Sequence, residues 1–102
     1  MSTKTDTILK IAPKTDVPLP KLFNVIYLND NQTTLEFVIE SLKIIFEHTD
    51  ESATALTEKI HEKGSAVVIT LPFELAEQKG IEATLLARNN GFPLQIKLEQ
   101  EQ

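Results

Sequence analysis

The chain has 102 residues, with 10 Lys and Arg against 15 Asp and Glu, a net charge of -5 and no cysteine. That length buries one modest core, and 41% hydrophobic with 25% charged residues is the composition of a folded globular domain. The acidic balance argues against the positive field that phosphate backbones need, and the absence of cysteine excludes disulfides, thiol chemistry and cysteine metal sites.

Residues 1–20 mix Lys, Thr and Asp with Pro13, Pro18 and Pro20 and carry few bulky apolar side chains. Such a stretch does not offset the entropy of its own ordering, so a flexible arm is expected here and a folded core over 21–102. Its longest apolar run is far shorter than a signal-peptide core or a membrane span, so neither secretion nor a bilayer is expected. The expectation is a cytoplasmic monomer.

Leu22-Phe23-Asn24-Val25-Ile26-Tyr27-Leu28 is rich in β-branched and aromatic residues and reads as a strand stopped by the turn-prone Asn29-Asp30-Asn31. Leu35, Val38, Ile39, Leu42, Ile45 and Phe46 then recur at helical spacing, with Thr33 as the expected N-cap and Glu36 three residues on. A second helix starts at a cap of Thr49 or Asp50, turns Ala53, Leu56 and Ile60 to one side, and stops near Gly64. Ser65 to Leu71 is a buried-strand run, and Pro72 fits the first turn of a third helix reaching about Asn90. Gly80 weakens that helix by roughly 1 kcal/mol relative to Ala. After Gly91 and Pro93, Leu94, Ile96 and Leu98 alternate with polar residues as in a half-buried strand. The order βααβαβ predicts an α+β two-layer sandwich, a three-stranded antiparallel sheet with three helices on one face.

No nucleophile-base pair, phosphate loop or metal cage is evident, so no enzyme and no cofactor are expected. His48 and His61 are thirteen positions apart with no carboxylate at ligand spacing. The turn Asn29-Asp30-Asn31 is the polar feature that stands out, although Asn and Asp at such a position also serve purely local hydrogen bonding.

Four landmarks in order carry a resemblance to a known family. Leu28-Asn29-Asp30-Asn31-Gln32-Thr33-Thr34-Leu35-Glu36-Phe37-Val38-Ile39 joins strand to helix, and Ile60-His61-Glu62-Lys63-Gly64 closes the second helix. Ala76-Glu77-Gln78-Lys79 lies near the start of the third helix, and a strand runs from Pro93 to Glu99. Residues 21–99 resemble the ClpS family of ATP-dependent Clp protease adaptors.

The resemblance implies an adaptor that binds proteins whose first residue is Leu, Phe, Tyr or Trp, the bacterial N-degron, and hands them to a ClpA- or ClpC-type AAA+ unfoldase. A free α-amino group is mostly an ammonium at neutral pH and donates three hydrogen bonds, so its receptor must supply acceptors. The resemblance assigns these to Asn29, Asp30, Asn31 and His61. A neutral imidazole accepts and an imidazolium does not, so binding is expected to weaken as pH falls through the histidine range. For the apolar slot it assigns Thr33, Leu35, Val38, Ile60 and Leu94, and for docking on the unfoldase Glu74 and Lys79. The resemblance also implies that the arm is the segment that the unfoldase pore engages.

Three positions depart from the family pattern. Asn31 stands where the family has a second Asp, removing one formal charge from the ammonium site. Thr34 replaces a Pro, and Leu35 stands where Met is common, which implies narrowed or shifted specificity. Asn31 therefore motivates a second reading, a regulator that docks on the unfoldase without binding N-degrons. A small enzyme using Asp30 and His61 and a ribosomal-stalk-like module are the remaining classes.

Overall fold

In a computed structural model, which describes residues 18–102, the elements are β1 (Leu22–Leu28), α1 (Leu35–Phe46), α2 (Asp50–Lys63), β2 (Ser65–Pro72), α3 (Phe73–Asn89) and β3 (Gln95–Gln100). This is the expected βααβαβ order. The expected arm lies outside the described residues except for positions 18–20.

β1 is the central strand, and the sheet order is β2-β1-β3 with both pairings antiparallel. Alternation then turns Phe23, Val25 and Tyr27 to the helical layer, together with Ile96 and Leu98 of β3. α3 packs against all three strands, and α1 packs on α2 and α3. The core between the layers is built around Val25, Tyr27, Val38, Leu42, Ile45, Phe46, Ile60 and Leu94. Small residues Ala76, Gly80, Ala83 and Ala87 are the buried face of α3, which lets the helix lie close on the sheet.

The register between β1 and β2 shifts between Val25 and Ile26, leaving Val68 without a partner across the ladder. His48 fills that gap. Its Nε2 lies 2.7 Å from the Val68 carbonyl oxygen and Nδ1 lies 2.9 Å from the Ser52 hydroxyl. With Nε2–H donating to the carbonyl, Nδ1 is left as an acceptor, so His48 pins the α1–α2 connection to the bulge.

Three boundaries differ from expectation. The N-cap of α1 is Thr34, whose hydroxyl accepts from the Phe37 N–H at 3.1 Å, in place of the expected Thr33. Thr33 is unavailable because Asp30 holds both its N–H and its hydroxyl, and with Thr34 as cap Phe37 takes the position a capping-box Glu would need. Pro72 still pairs with Leu22 and is the N-cap of α3, one residue before the first helical turn. A proline is tolerated there because β2 is an edge strand. The third strand begins at Gln95, with Leu94 just ahead of it. At α2 the choice between caps falls on Thr49, which accepts from the Ser52 N–H, and Gly64 closes the helix at φ 94°, a conformation that favours glycine.

Candidate functional site

The site forms where β1 ends. As the chain leaves the sheet, the Asn29 N–H donates to the Gly64 carbonyl at 2.8 Å, tying the turn to the end of α2. The Asp30 carboxylate then organises the turn itself. Oδ1 accepts from the Gln32 N–H at 2.8 Å and the Thr33 N–H at 2.7 Å, and Oδ2 accepts from the Thr33 hydroxyl at 2.7 Å. Burial alone pushes the Asp30 carboxyl up, but the bonds from Thr33 and Gln32 and the nearby Arg88 charge outweigh it and hold the group below its usual range. Asp30 is thus a carboxylate with one oxygen doubly bonded to the turn and the other only singly.

Beside this turn is a narrow cavity of about 10 Å³, room for one water molecule, lined by Leu28, Asn29, Asp30, Thr33, Leu35, Val38, Thr57, Ile60 and Leu94. Leu35 is 47% exposed and Asn29 is also exposed, so both belong to the mouth. Val38, Ile60 and Leu94 are buried and make the inner wall. Arg88 steadies that wall: its Nη1 donates to the Leu94 carbonyl at 2.8 Å and the Phe92 carbonyl at 3.0 Å.

Seven of the residues singled out from the sequence therefore meet in one cavity: Asn29, Asp30, Thr33, Leu35, Val38, Ile60 and Leu94. Asn31 and His61 are exposed and outside its lining, each next in sequence to a lining residue, Asp30 and Ile60 respectively. Glu74 and Lys79 are on α3 and take no part in the cavity. Glu74 is exposed in the first turn, and the Lys79 ammonium lies 3.8 Å from Glu82. Sequence reasoning missed Leu28, Thr57 and Arg88. Thr57 had a usable signal, since it precedes Ile60 by three positions and so shares its helix face.

The arrangement pairs hydrogen-bond acceptors at the mouth with an interior that is apolar except for Thr57, which is the chemistry of a site for a small cation bearing a largely apolar side chain. Among the described residues no group of three or more His, Asp or Glu is placed to hold a metal.

Residues 18–97 match the family model for the ATP-dependent Clp protease adaptor protein ClpS. The chain belongs to the ClpS family. It is similar to the ClpS adapter protein of Nautilia profundicola, 41% identical over 83% of this chain and 88% of that one. To that of Lawsonia intracellularis it is 43% identical over 79% of this chain and 74% of that one. Among solved structures it resembles Agrobacterium tumefaciens ClpS2 bound to L-phenylalaninamide, with a TM-score of 0.79 and 40% identity over 81% of this chain and 100% of that one. The family is one of adaptors of a protease, and the shared α+β fold includes the strand, turn and helix that form the cavity. No helix among the described residues is long and apolar enough to cross a membrane.

Proposed function

We propose that this ClpS-family chain binds the exposed N-terminal residue of a substrate protein, Leu, Phe, Tyr or Trp, and delivers that protein to a ClpA- or ClpC-type AAA+ unfoldase in the cytoplasm. The observation that carries the reading is the single cavity that joins Asn29 and Asp30 to the apolar wall of Val38, Ile60 and Leu94. The phenylalaninamide held by the similar Agrobacterium protein has the free amino group and apolar side chain that such a cavity suits.

In this reading the ammonium sits at the mouth. The Asn29 side-chain oxygen and the spare lone pairs of Asp30 Oδ2 accept from it, with a ring nitrogen of His61 completing the set. Asp30 then supplies the charge that Asn31 does not. The first side chain enters as the exposed Leu35 swings away from the inner wall and widens the cavity, and burying one Leu or Phe there contributes roughly 1.5–3 kcal/mol. Each charge-assisted hydrogen bond contributes about as much, so neither half alone binds tightly. An acetylated N-terminus loses the charge and two donors and is rejected.

Delivery assigns Glu74 and Lys79 of α3 to the unfoldase and the N-terminal arm to its pore, with the adaptor acting as a monomer. One observation favours the alternative of a docking regulator without degron binding: three hydrogen bonds from Gln32 and Thr33 already hold the Asp30 carboxylate, and Asn31 next to it is neutral.

Fluorescence anisotropy of labelled peptides beginning with Leu, Phe, Tyr, Trp or acetyl-Phe separates the two. Binding of the first four that is lost on acetylation and in His61→Ala supports the adaptor. No binding by the natural chain, with recovery in Asn31→Asp, supports the regulator.

A further inference from the structure

Two polar side chains are buried among the described residues, Ser41 at 0% and Thr57 at 2% exposure. Ser41 is used on both sides: its hydroxyl donates to the Val38 carbonyl at 2.9 Å and lies 2.9 Å from the Tyr27 hydroxyl. With its own proton committed to Val38, Ser41 is the acceptor and Tyr27 the donor. Thr57 has the first half of that arrangement, its hydroxyl donating to the Ala53 carbonyl at 2.7 Å. Among the described residues no second side-chain partner matches Tyr27's place. Its oxygen retains lone pairs that can accept but no proton left to give.

Thr57 also lines the cavity described above. Asn29 and Leu35 are exposed, whereas Thr57, Ile60 and Leu94 are all 3% exposed or less. Thr57 is therefore one of the least exposed residues of the lining, within reach of a side chain that enters past Leu35. A wholly apolar floor penalises a Tyr hydroxyl, which leaves water without a partner, and so prefers Phe. A floor with an acceptor reverses that preference, because it offers a bond that only the hydroxyl can make.

We propose that Thr57 is a specificity-determining residue, its hydroxyl oxygen accepting a hydrogen bond from the phenol of an N-terminal Tyr and so favouring Tyr over Phe. The inference rests on the degron reading and names the substrate class within it. The Tyr27–Ser41–Val38 chain is its internal precedent, a phenol donating to a helix hydroxyl that donates to its own helix backbone.

The test uses peptides identical except for a first residue of Tyr, Phe or 4-fluoro-Phe, the last matching the ring while lacking the donor. The natural protein is expected to bind Tyr about fivefold tighter than either analogue. In Thr57→Val, which has nearly the same shape, the ratio of Tyr to 4-fluoro-Phe affinity falls to about one, and in Thr57→Ser it is retained. Equal affinity of the natural protein for Tyr and 4-fluoro-Phe overturns the proposal without any mutant, as does an advantage that survives Thr57→Val. Failure of the natural protein to bind any of the three instead overturns the degron reading and this inference with it.

Discussion

Around Asp30, three donors converge on two carboxylate oxygens, while the adjacent Asn31 is exposed and neutral. Restoring a carboxylate in Asn31→Asp is expected to strengthen binding of a Phe-initiated peptide by roughly fivefold to tenfold, the effect of making one contact charge-assisted. Anisotropy at low salt reads this, and an unchanged affinity would place position 31 away from the ammonium. Asp30 itself also reports on stability. Its folded-state carboxyl titrates below its unfolded value, so its contribution is present above about pH 4 and disappears as pH falls through the lower folded value. Urea midpoints of the natural protein and Asp30→Asn are therefore expected to differ at pH 6 and to converge in strong acid. Of the cavity lining, turn chemistry alone singled out Asn29 and Asp30, while Thr33, Leu35, Val38, Ile60 and Leu94 were named through the family resemblance. Thr57 was passed over, although its place three positions before Ile60 puts it on the same helix face.

The secondary-structure elements were readable where one signal dominated. The apolar period of α1, the Gly64 stop of α2 and the alternation of β3 each have a single physical cause. Boundaries went astray where two side chains competed for one partner, as when Asp30 took Thr33 and passed the α1 cap to Thr34. The bulge at Val68 was invisible in sequence because it depends on the opposite strand and on His48 reaching its carbonyl. Gly80 turns one element into a prediction. A Cβ there would meet Ile96 Cγ2 at 3.8 Å and Leu98 Cδ2 at 3.9 Å, which is ordinary van der Waals contact. Gly80→Ala is thus expected to stabilise the protein by about 1 kcal/mol, read as a higher urea midpoint. A lower midpoint would mean that α3 needs to approach β3 more closely than these distances show.

For the whole molecule, one polar chain runs through the interface of the two layers, from Tyr27 in the central strand to Ser41 and Val38 in α1. Val38 also lines the cavity, so the contact that fastens helix to sheet fixes part of the binding wall. Burial pushes the Tyr27 phenol up to about 12, against a smaller opposing effect of the Ser41 bond. A phenol that stays protonated longer in the folded state contributes stability fully below about pH 10 and loses it as pH rises toward 12. Alkaline unfolding of the natural protein is expected to steepen in that window. Tyr27→Phe, less stable at neutral pH, is expected to lose less there, and equal slopes for the two would show that another group governs the alkaline limb.

The central claim is that the mouth of the cavity holds a free α-amino group while its interior holds the side chain. Backbone amide NMR during titration with L-phenylalaninamide and with its N-acetyl form addresses it most directly. The account predicts shifts concentrated at Asn29–Val38, Thr57–Gly64 and Leu94 with the free amine, and little change with the acetylated form. Shifts centred on another face, or equal shifts with both ligands, would contradict it.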